Sequence, residues 1–303
     1  MDTFDRLEDT NAKLKELLIR LAPETGKFET ELPGLTVFRF DEITKDENCF
    51  YDPAIGLVLQ GHKHTIIGSE AYQYGEYTCI VNGVDMPSLN NILEASTEKP
   101  FLGLSLRIDR VLATELNAEM PAEVSSANPS YSGVSIAMVD PDILDAFLRL
   151  VELLDDPAEL RVLAPLILRE IHFRTLIGPQ GGCLRLITTQ GTHTSQVAEA
   201  ITWLRDNYRE PIHINKLAQI VNMATSTFHR HFKEVTSLSP LQFQKRLRLY
   251  EAQRLMLTAD KDATSASLEV GYESPSQFSR EYKRLFGEPP HRDINRMRQL
   301  TDA

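Results

Sequence analysis

Two short stretches of this chain carry side chains able to read base pairs. FHRHFKE (228–234) and FSREYKR (278–284) each place two aromatics four residues apart and follow the second with a lysine. Residues four apart share one face of a helix, so the aromatics form a seam that buries. Arg230 and Arg280 fall on another face and stay in solvent. An arginine held on such a helix can donate two hydrogen bonds to guanine O6 and N7, which is direct readout in the major groove.

Such side chains read DNA only if something aims them. Each stretch closes a helix-turn-helix pattern, INKLAQIVNMATSTFHRHFKEVTSLSP (214–240) and ATSASLEVGYESPSQFSREYKRLFGEPP (263–290), with Phe228 and Phe278 fifty residues apart. Between them runs PLQFQKRLRLYEAQRLML (240–257). Proline opens it at a first-turn position, and Leu241, Leu247, Tyr250 and Leu255 recur near helical period. The spacing predicts a single connecting helix of roughly 25 Å, at 1.5 Å per residue. Two readers held about one DNA turn apart enter successive major grooves on one face of the duplex. One helix-turn-helix pattern is common among unrelated helix pairs; two on one rigid connector are not.

At these residues, 195–298 resembles the DNA-binding domain of the AraC/XylS family of bacterial transcription regulators. VGYESPSQFSREYKRLFGEPP and FHRHFK carry the resemblance most specifically. It implies that Ser226, His229 and Arg230, then Ser276, Gln277 and Arg280, reach base edges, while Lys233, Lys283 and Arg284 meet phosphates. Their types suit those roles, since glutamine pairs bidentately with adenine and lysine supplies affinity without sequence. The first unit departs from the family pattern. Asn222 and Ala224 stand where glycine and serine are usual, and Ser237 stands where a helix-ending glycine is favoured. Asparagine tolerates the left-handed conformation. Alanine cannot cap, so the cap moves to Thr225 or is lost, at about 1 kcal/mol. The first unit is therefore expected to be looser, or to read DNA less stringently, than the second, which keeps Gly271 and Gly287.

The net charge of −11 becomes consistent with a DNA binder once it is divided. Residues 195–303 hold 16 Lys/Arg against 13 Asp/Glu, and residues 1–194 hold 16 against 30. Positive charge is segregated to the segment with the repeats. The excess is modest, so specific contacts rather than bulk attraction dominate. Cys49, Cys79 and Cys183 are widely spaced, without disulfide or zinc pattern, as in a reducing cytosol. No apolar run approaches the ~18 residues of a membrane span, and the acidic start is no signal peptide. A cytoplasmic protein with no membrane association is expected.

The first 194 residues begin with helical spacing over 2–21. Short strands follow at 35–40, 55–60, 64–67, 72–74, 77–81, 88–93 and 101–108, punctuated by Gly61, Gly68, Gly75 and Gly83. That series predicts a barrel or jelly roll. FYDPAIGLVLQGHKHTIIG (50–68), YGEYTCIVNGVDMP (74–87) and EASTEKPFLGLSLRID (94–109) resemble the cupin-like N-terminal domain of one AraC subfamily. In that family such domains bind a small-molecule effector, dimerise, or both. Helices are expected at 141–154 and 158–177. The second is apolar on more than one face, and the pair reads either as a homodimer surface or as a cover on the barrel. The fold class is thus α+β. A cupin-like β-barrel with a helical dimerisation pair occupies 1–177, a glycine-rich linker 178–194, and an all-α DNA-binding domain 195–303.

Three features of the barrel could hold chemistry. His62, His64 and Glu70 approach the His-x-His…Glu ligand pattern of metal-binding cupins, because residues i and i+2 share a strand face. No histidine occurs between His64 and His172, so a third ligand is missing, and two surface histidines beside Lys63 are the plainer reading. Cys49 and Cys79 would report oxidants only as low-pKa thiolates, and nothing basic lies near them in sequence. Tyr72, Tyr74, Tyr77 and Arg107 could line an effector pocket, with Arg107 anchoring an anion; core aromatics and a solvated strand-end arginine are the alternatives. No phosphate loop, nucleophile elbow or paired catalytic carboxylates occur, and no cofactor is implied. The expected function is a sequence-specific transcription regulator rather than an enzyme. The family resemblance implies a homodimer on double-stranded DNA, an activator, with RNA polymerase as a partner. The alternative is a metal-dependent cupin sensor or enzyme fused to a DNA-binding module.

Overall fold

The structure, a computed structural model, describes residues 3–45, 47–67, 70–120, 133–189 and 191–301. Helix α1 (Thr3–Leu21) buries Leu7, Leu14 and Leu18 at helical spacing. The strands β1 (Gly26–Glu29), β2 (Leu35–Phe40), β3 (Glu47–Tyr51), β4 (Ala54–Gln60), β5 (His62–Ile67), β6 (Glu70–Gly75), β7 (Thr78–Asn82), β8 (Met86–Glu94), β9 (Phe101–Arg107) and β10 (Val134–Met138) follow. They form a six-stranded sheet ordered β1-β2-β9-β4-β7-β10 and a four-stranded sheet ordered β3-β8-β5-β6. All pairings are antiparallel.

Each strand read from alternation is present, its ends shifted by at most two residues. The strands β1, β3 and β10 were not legible in the same way. β1 is four residues long with a glycine at its head, and β3 opens on Glu-Asn after an acidic loop. Gly68, read as a turn, lies outside the described residues.

Register decides what each face does. Leu35, Val37, Leu57, Leu104 and Leu106 point to one face of the large sheet, where α1 covers β2, β4 and β9. Helix α2 (Arg110–Glu119) starts at Asp109, whose carboxylate accepts from the Val111 and Leu112 N–H groups. Helix α3 (Pro141–Glu152) packs on α1, and α4 (Pro157–Ile177) on α3. Helix α5 (Gly181–Thr188) fills the glycine-rich segment and seats Cys183, Leu184 and Ile187 against β7 and β10.

The C-terminal part comprises α6 (His193–Asp206), α7 (Ile214–Ile220), α8 (Thr225–Thr236), α9 (Pro240–Thr258), α10 (Ala263–Glu269), α11 (Pro275–Phe286) and α12 (Pro290–Thr301). The connector α9 runs about 28 Å at 1.5 Å per residue. It opens on a capping box in which Ser239 and Gln242 satisfy each other's N–H groups. Apolar packing divides in the middle of this helix. Phe228, Phe232, Phe243 and Leu247 belong to a cluster continuous with the N-terminal core, whereas Leu249, Met256, Phe278, Tyr282 and Ile294 form a separate one. The first helix-turn-helix unit is therefore fused to the β domain, and the second folds around its own small core. Arg205 adds an ionic tie from α6 to Asp52, at 2.7 Å, and to Asp85.

Candidate nucleic-acid interface

Helix α8 starts at Ala224, which offers no side-chain cap. The Thr225 hydroxyl is directed instead to Asn215 Oδ1 of α7, at 3.2 Å. The cap is lost rather than moved. Asn222 (φ 54°) makes the left-handed turn and Ser237 (φ 57°) the left-handed end. In the second unit Ser274 accepts the Gln277 N–H at 3.3 Å, and Gly271 turns at φ 90°. A Cβ on Gly271 would come within 2.2 Å of the Arg209 carbonyl oxygen, so that turn admits only glycine. Restoring the missing cap with Ala224→Ser is expected to stabilise the first unit by about 0.5–2 kcal/mol, read as a raised melting temperature.

Behind these starts the two seams are fully buried, Phe228 and Phe232 in α8, Phe278 and Tyr282 in α11. On the other side Ser226, His229, Arg230 and Lys233, and Ser276, Gln277, Arg280, Lys283 and Arg284, are all exposed. The fold thus gathers the expected readers onto two outward faces at either end of one helix. They are not equally free. Arg230 lies 3.9 Å from Glu234 and 3.3 Å from His231 Nε2, while Gln277 donates to Glu281 Oε1 at 3.1 Å.

Sequence reading missed the residues that hold these faces. Glu281 also accepts from Lys245 Nζ at 2.7 Å and from Tyr272 Oη at 2.8 Å. Against the burial that would raise it, the hydrogen bonds from Lys245, Gln277 and Tyr272 keep its carboxyl below the ordinary range. Arg248 gathers the carbonyls of Tyr208 (2.6 Å), Gly271 (2.8 Å), Arg209 (2.9 Å) and Glu210 (3.0 Å). Gln244, one turn earlier, donates to Tyr208 and Glu210. Together they pin the loop before the first unit to the turn of the second. Asp293 of α12, 1% exposed, accepts from Gln253 (2.7 Å), Tyr282 (2.7 Å) and Arg296 (2.6 Å). A polar pair four apart on the buried side of α9 was the available signal.

A cavity of about 380 Å³ lies between the two sheets. Gly56 and Gly103 widen its floor, and Phe38, Phe40, Val58, Ile80 and Phe101 make it apolar. Tyr74 and Arg107 line it, whereas Tyr72 and Tyr77 do not; Tyr77 sits in a left-handed turn against Phe4 of α1. The four-stranded sheet contributes a polar cluster. Asn90 accepts from Thr65 (2.8 Å) and from Tyr51, donates to Cys49 Sγ (2.7 Å), and Thr65 meets Tyr74 Oη at 3.0 Å. The Lys63 ammonium lies 5.3 Å over the Tyr51 ring. Burial raises Glu47 and Cys49 above their ordinary ranges, and lifts Cys79 to about 12. These thiols are poor thiolates for redox sensing.

The same register separates the metal-ligand candidates. Lys63 faces the cavity, so His62 and His64, alternating with it, face outward; His62 bonds Glu94 at 2.7 Å. Glu70 pairs with Ile67, which shares the face of Lys63 and Thr65, so Glu70 lies on the opposite side from both histidines. No group of three or more metal-ligating side chains occurs among the described residues.

Residues 31–183 match the family model described as the AraC-type transcriptional regulator N-terminus, and residues 217–296 match a helix-turn-helix domain. The transcriptional activator RhaS of Escherichia fergusonii is 28% identical over 254 residues, covering 81% of this chain and 82% of that one. RhaS of Pectobacterium carotovorum is 28% identical over 102 residues, and there the match spans only 37% of the relative's length. The solved structure of ToxT from Vibrio cholerae with an unsaturated fatty acid shares the fold, with a TM-score of 0.59 at 9% identity over 86% of this chain and 93% of that one. The N-terminal match alone spans just over half of the sequence, and two exposed reading helices follow it: this chain belongs to the AraC family of transcriptional regulators.

Proposed function

We propose that the protein is a cytoplasmic, sequence-specific activator of transcription that works by binding rather than catalysis and answers to a small effector held between its sheets. The duplicated outward faces on one rigid connector carry the reading. Ser226, His229, Arg230, Ser276, Gln277 and Arg280 read bases; Lys233, Lys283 and Arg284 meet phosphates. Activation rests on the naming of the RhaS relatives as activators, and brings RNA polymerase in as a partner. The effector is a molecule with an apolar body and an anionic group for Lys63 or Arg107: the cavity has an apolar floor, Lys27, Lys63 and Arg107 line its polar parts beside Glu29, Glu47 and Asp52, and ToxT, of the same fold, holds an unsaturated fatty acid. The test is selection of sheared genomic DNA by the purified protein. A shared enriched site is the expected result; no enrichment at modest salt, with or without a fatty acid, overturns the reading.

Helix α4 supplies the homodimer surface in this proposal. Almost all apolar side chains of α3 are buried, but Val162 (68% exposed), Leu166 (64%), Phe173 and Ile177 form a stripe along α4 at spacings of four, seven and four. The double substitution Val162→Glu/Leu166→Glu is expected to convert a dimer to a monomer in sedimentation, with melting temperature little changed. An unaltered sedimentation coefficient would place the dimer elsewhere.

A further inference from the structure

The edge strand β3 lies between the cavity and the connector α9, and it touches both. Cys49, Phe50 and Tyr51 border the cavity; the Cys49 and Tyr51 side chains, which bond Ser88 and Asn90, face it, and the Phe50 ring stands on the other face of the strand. Phe50 also meets two rings of α9 edge-on, Phe243 at 5.7 Å and Tyr250 at 5.8 Å between centroids. Those two residues are seven apart, on one face of the helix. From each of them an unbroken series of ring contacts reaches a recognition helix. Phe243 meets Phe232 (5.5 Å), which meets Phe228 (5.4 Å) in α8. Tyr250 meets Phe286 (5.5 Å), which meets Tyr282 (4.3 Å) and through it Phe278 (5.5 Å) in α11. The Tyr250 hydroxyl also donates to the Ser88 carbonyl at 3.3 Å, and the Ser88 side chain bonds Cys49 and Asn90 of the polar cluster.

We infer that Phe50 is the residue through which effector occupancy is passed to both DNA readers, by resetting its seat on Phe243 and Tyr250. The inference rests on the effector reading above and adds its route. Packed aromatics transmit displacement because a close-packed interior moves between discrete arrangements rather than deforming smoothly. The strand is also suited to move: β3 is paired on one side only, to β8, so its shift breaks no second ladder. An effector that packs better against one position of β3, through the Cys49 and Tyr51 side chains, sets the Phe50 ring on its other face and favours the matching arrangement of α9. The helix divides its packing between Leu247 and Leu249, and Phe243 and Tyr250 stand on either side of that division. One residue therefore addresses the first reader through the fused core and the second through the separate one.

Coupling of this kind is reciprocal, so DNA must change effector affinity by the factor with which effector changes DNA affinity. The probe is the fluorescent unsaturated fatty acid cis-parinaric acid, titrated into full-length protein with and without a duplex of the selected site. Wild type is expected to show a shift of about fivefold or more in parinarate affinity. In Phe50→Leu and Tyr250→Leu the shift falls within twofold of unity, and Tyr250→Leu, outside the cavity, still melts cooperatively and binds parinarate and duplex separately. Tyr250→Leu removes the same seat from outside the cavity, which separates relay from altered lining. A shift that survives in both variants overturns the route, as does a wild type that binds both ligands without coupling. A wild type that does not bind parinarate removes the effector reading itself, and the route with it; the titration without DNA tells that failure apart.

Discussion

Arg280→Ala is expected to weaken binding to the selected site by about 5- to 150-fold, the ~1–3 kcal/mol carried by a bidentate base contact. Arg280 is exposed at the outer face of α11, a helix with a side-chain cap and a glycine end, so its loss removes a contact that the free protein already presents. The equivalent Arg230→Ala is expected to cost less. Its helix has no cap, and its guanidinium is partly engaged by His231 and Glu234 before DNA arrives. Fluorescence anisotropy on the selected and a scrambled duplex measures both. The loss falls on the selected duplex and leaves the scrambled one nearly unchanged. Lys283→Ala behaves differently if it meets phosphate: binding to both duplexes weakens alike, and the salt slope drops by about one. Equal losses from Arg230→Ala and Arg280→Ala would mean that the missing cap does not loosen the first reader.

A substitution far from the DNA is expected to be at least as damaging. Asp293 lies in the last helix, yet its carboxylate accepts hydrogen bonds from the connector, through Gln253, and from the second recognition helix, through Tyr282. Asp293→Ala leaves the buried Tyr282 hydroxyl without its acceptor and Gln253 with only the weak acceptor Met297 Sδ, at about 1–3 kcal/mol each. The cluster around Leu249, Phe278 and Tyr282 is small and separate, so the loss concentrates in the second unit. Calorimetry is expected to resolve an early transition for that unit, and DNA affinity to fall to what the first reader supplies alone. Asp293→Asn keeps one carbonyl acceptor and recovers part of both. A single, unshifted transition in Asp293→Ala would show that the second unit is held by apolar packing alone.

The readers were legible because their signal is local. An aromatic seam at i and i+4 with arginine on another face can be read from seven residues, and its repetition fifty residues on needs no partner to be seen. The turn residues were legible for the same reason: Asn222, Ser237, Gly271 and Gly287 all adopt the positive φ that their positions in the pattern demand. What holds the readers was hidden because it is non-local. Arg248 and Gln244 bind carbonyls 23 to 40 residues away, and Asp293 ties the connector to the second recognition helix. In the β domain, alternation located the strands but not the partition into two sheets, which depends on pairing. Pairing puts Tyr72 and Tyr74 on one face, opposite Thr65 and Lys63, where only Tyr74 lines the cavity, and it turns His62 and His64 away from it. Phe50, bordering the cavity and touching the connector at once, belongs to a strand too polar at its start to be read at all.

Base-resolved protection of guanine N7 on the selected site, compared among wild type, Arg230→Ala and Arg280→Ala, tests the double-reader geometry most directly. Two protected major-groove segments per protomer, about 10 bp apart on one face, are expected. Each variant should lose protection in one segment and keep the other. A single protected segment, or the same guanines lost in both variants, would contradict the reading that the two helices enter successive grooves.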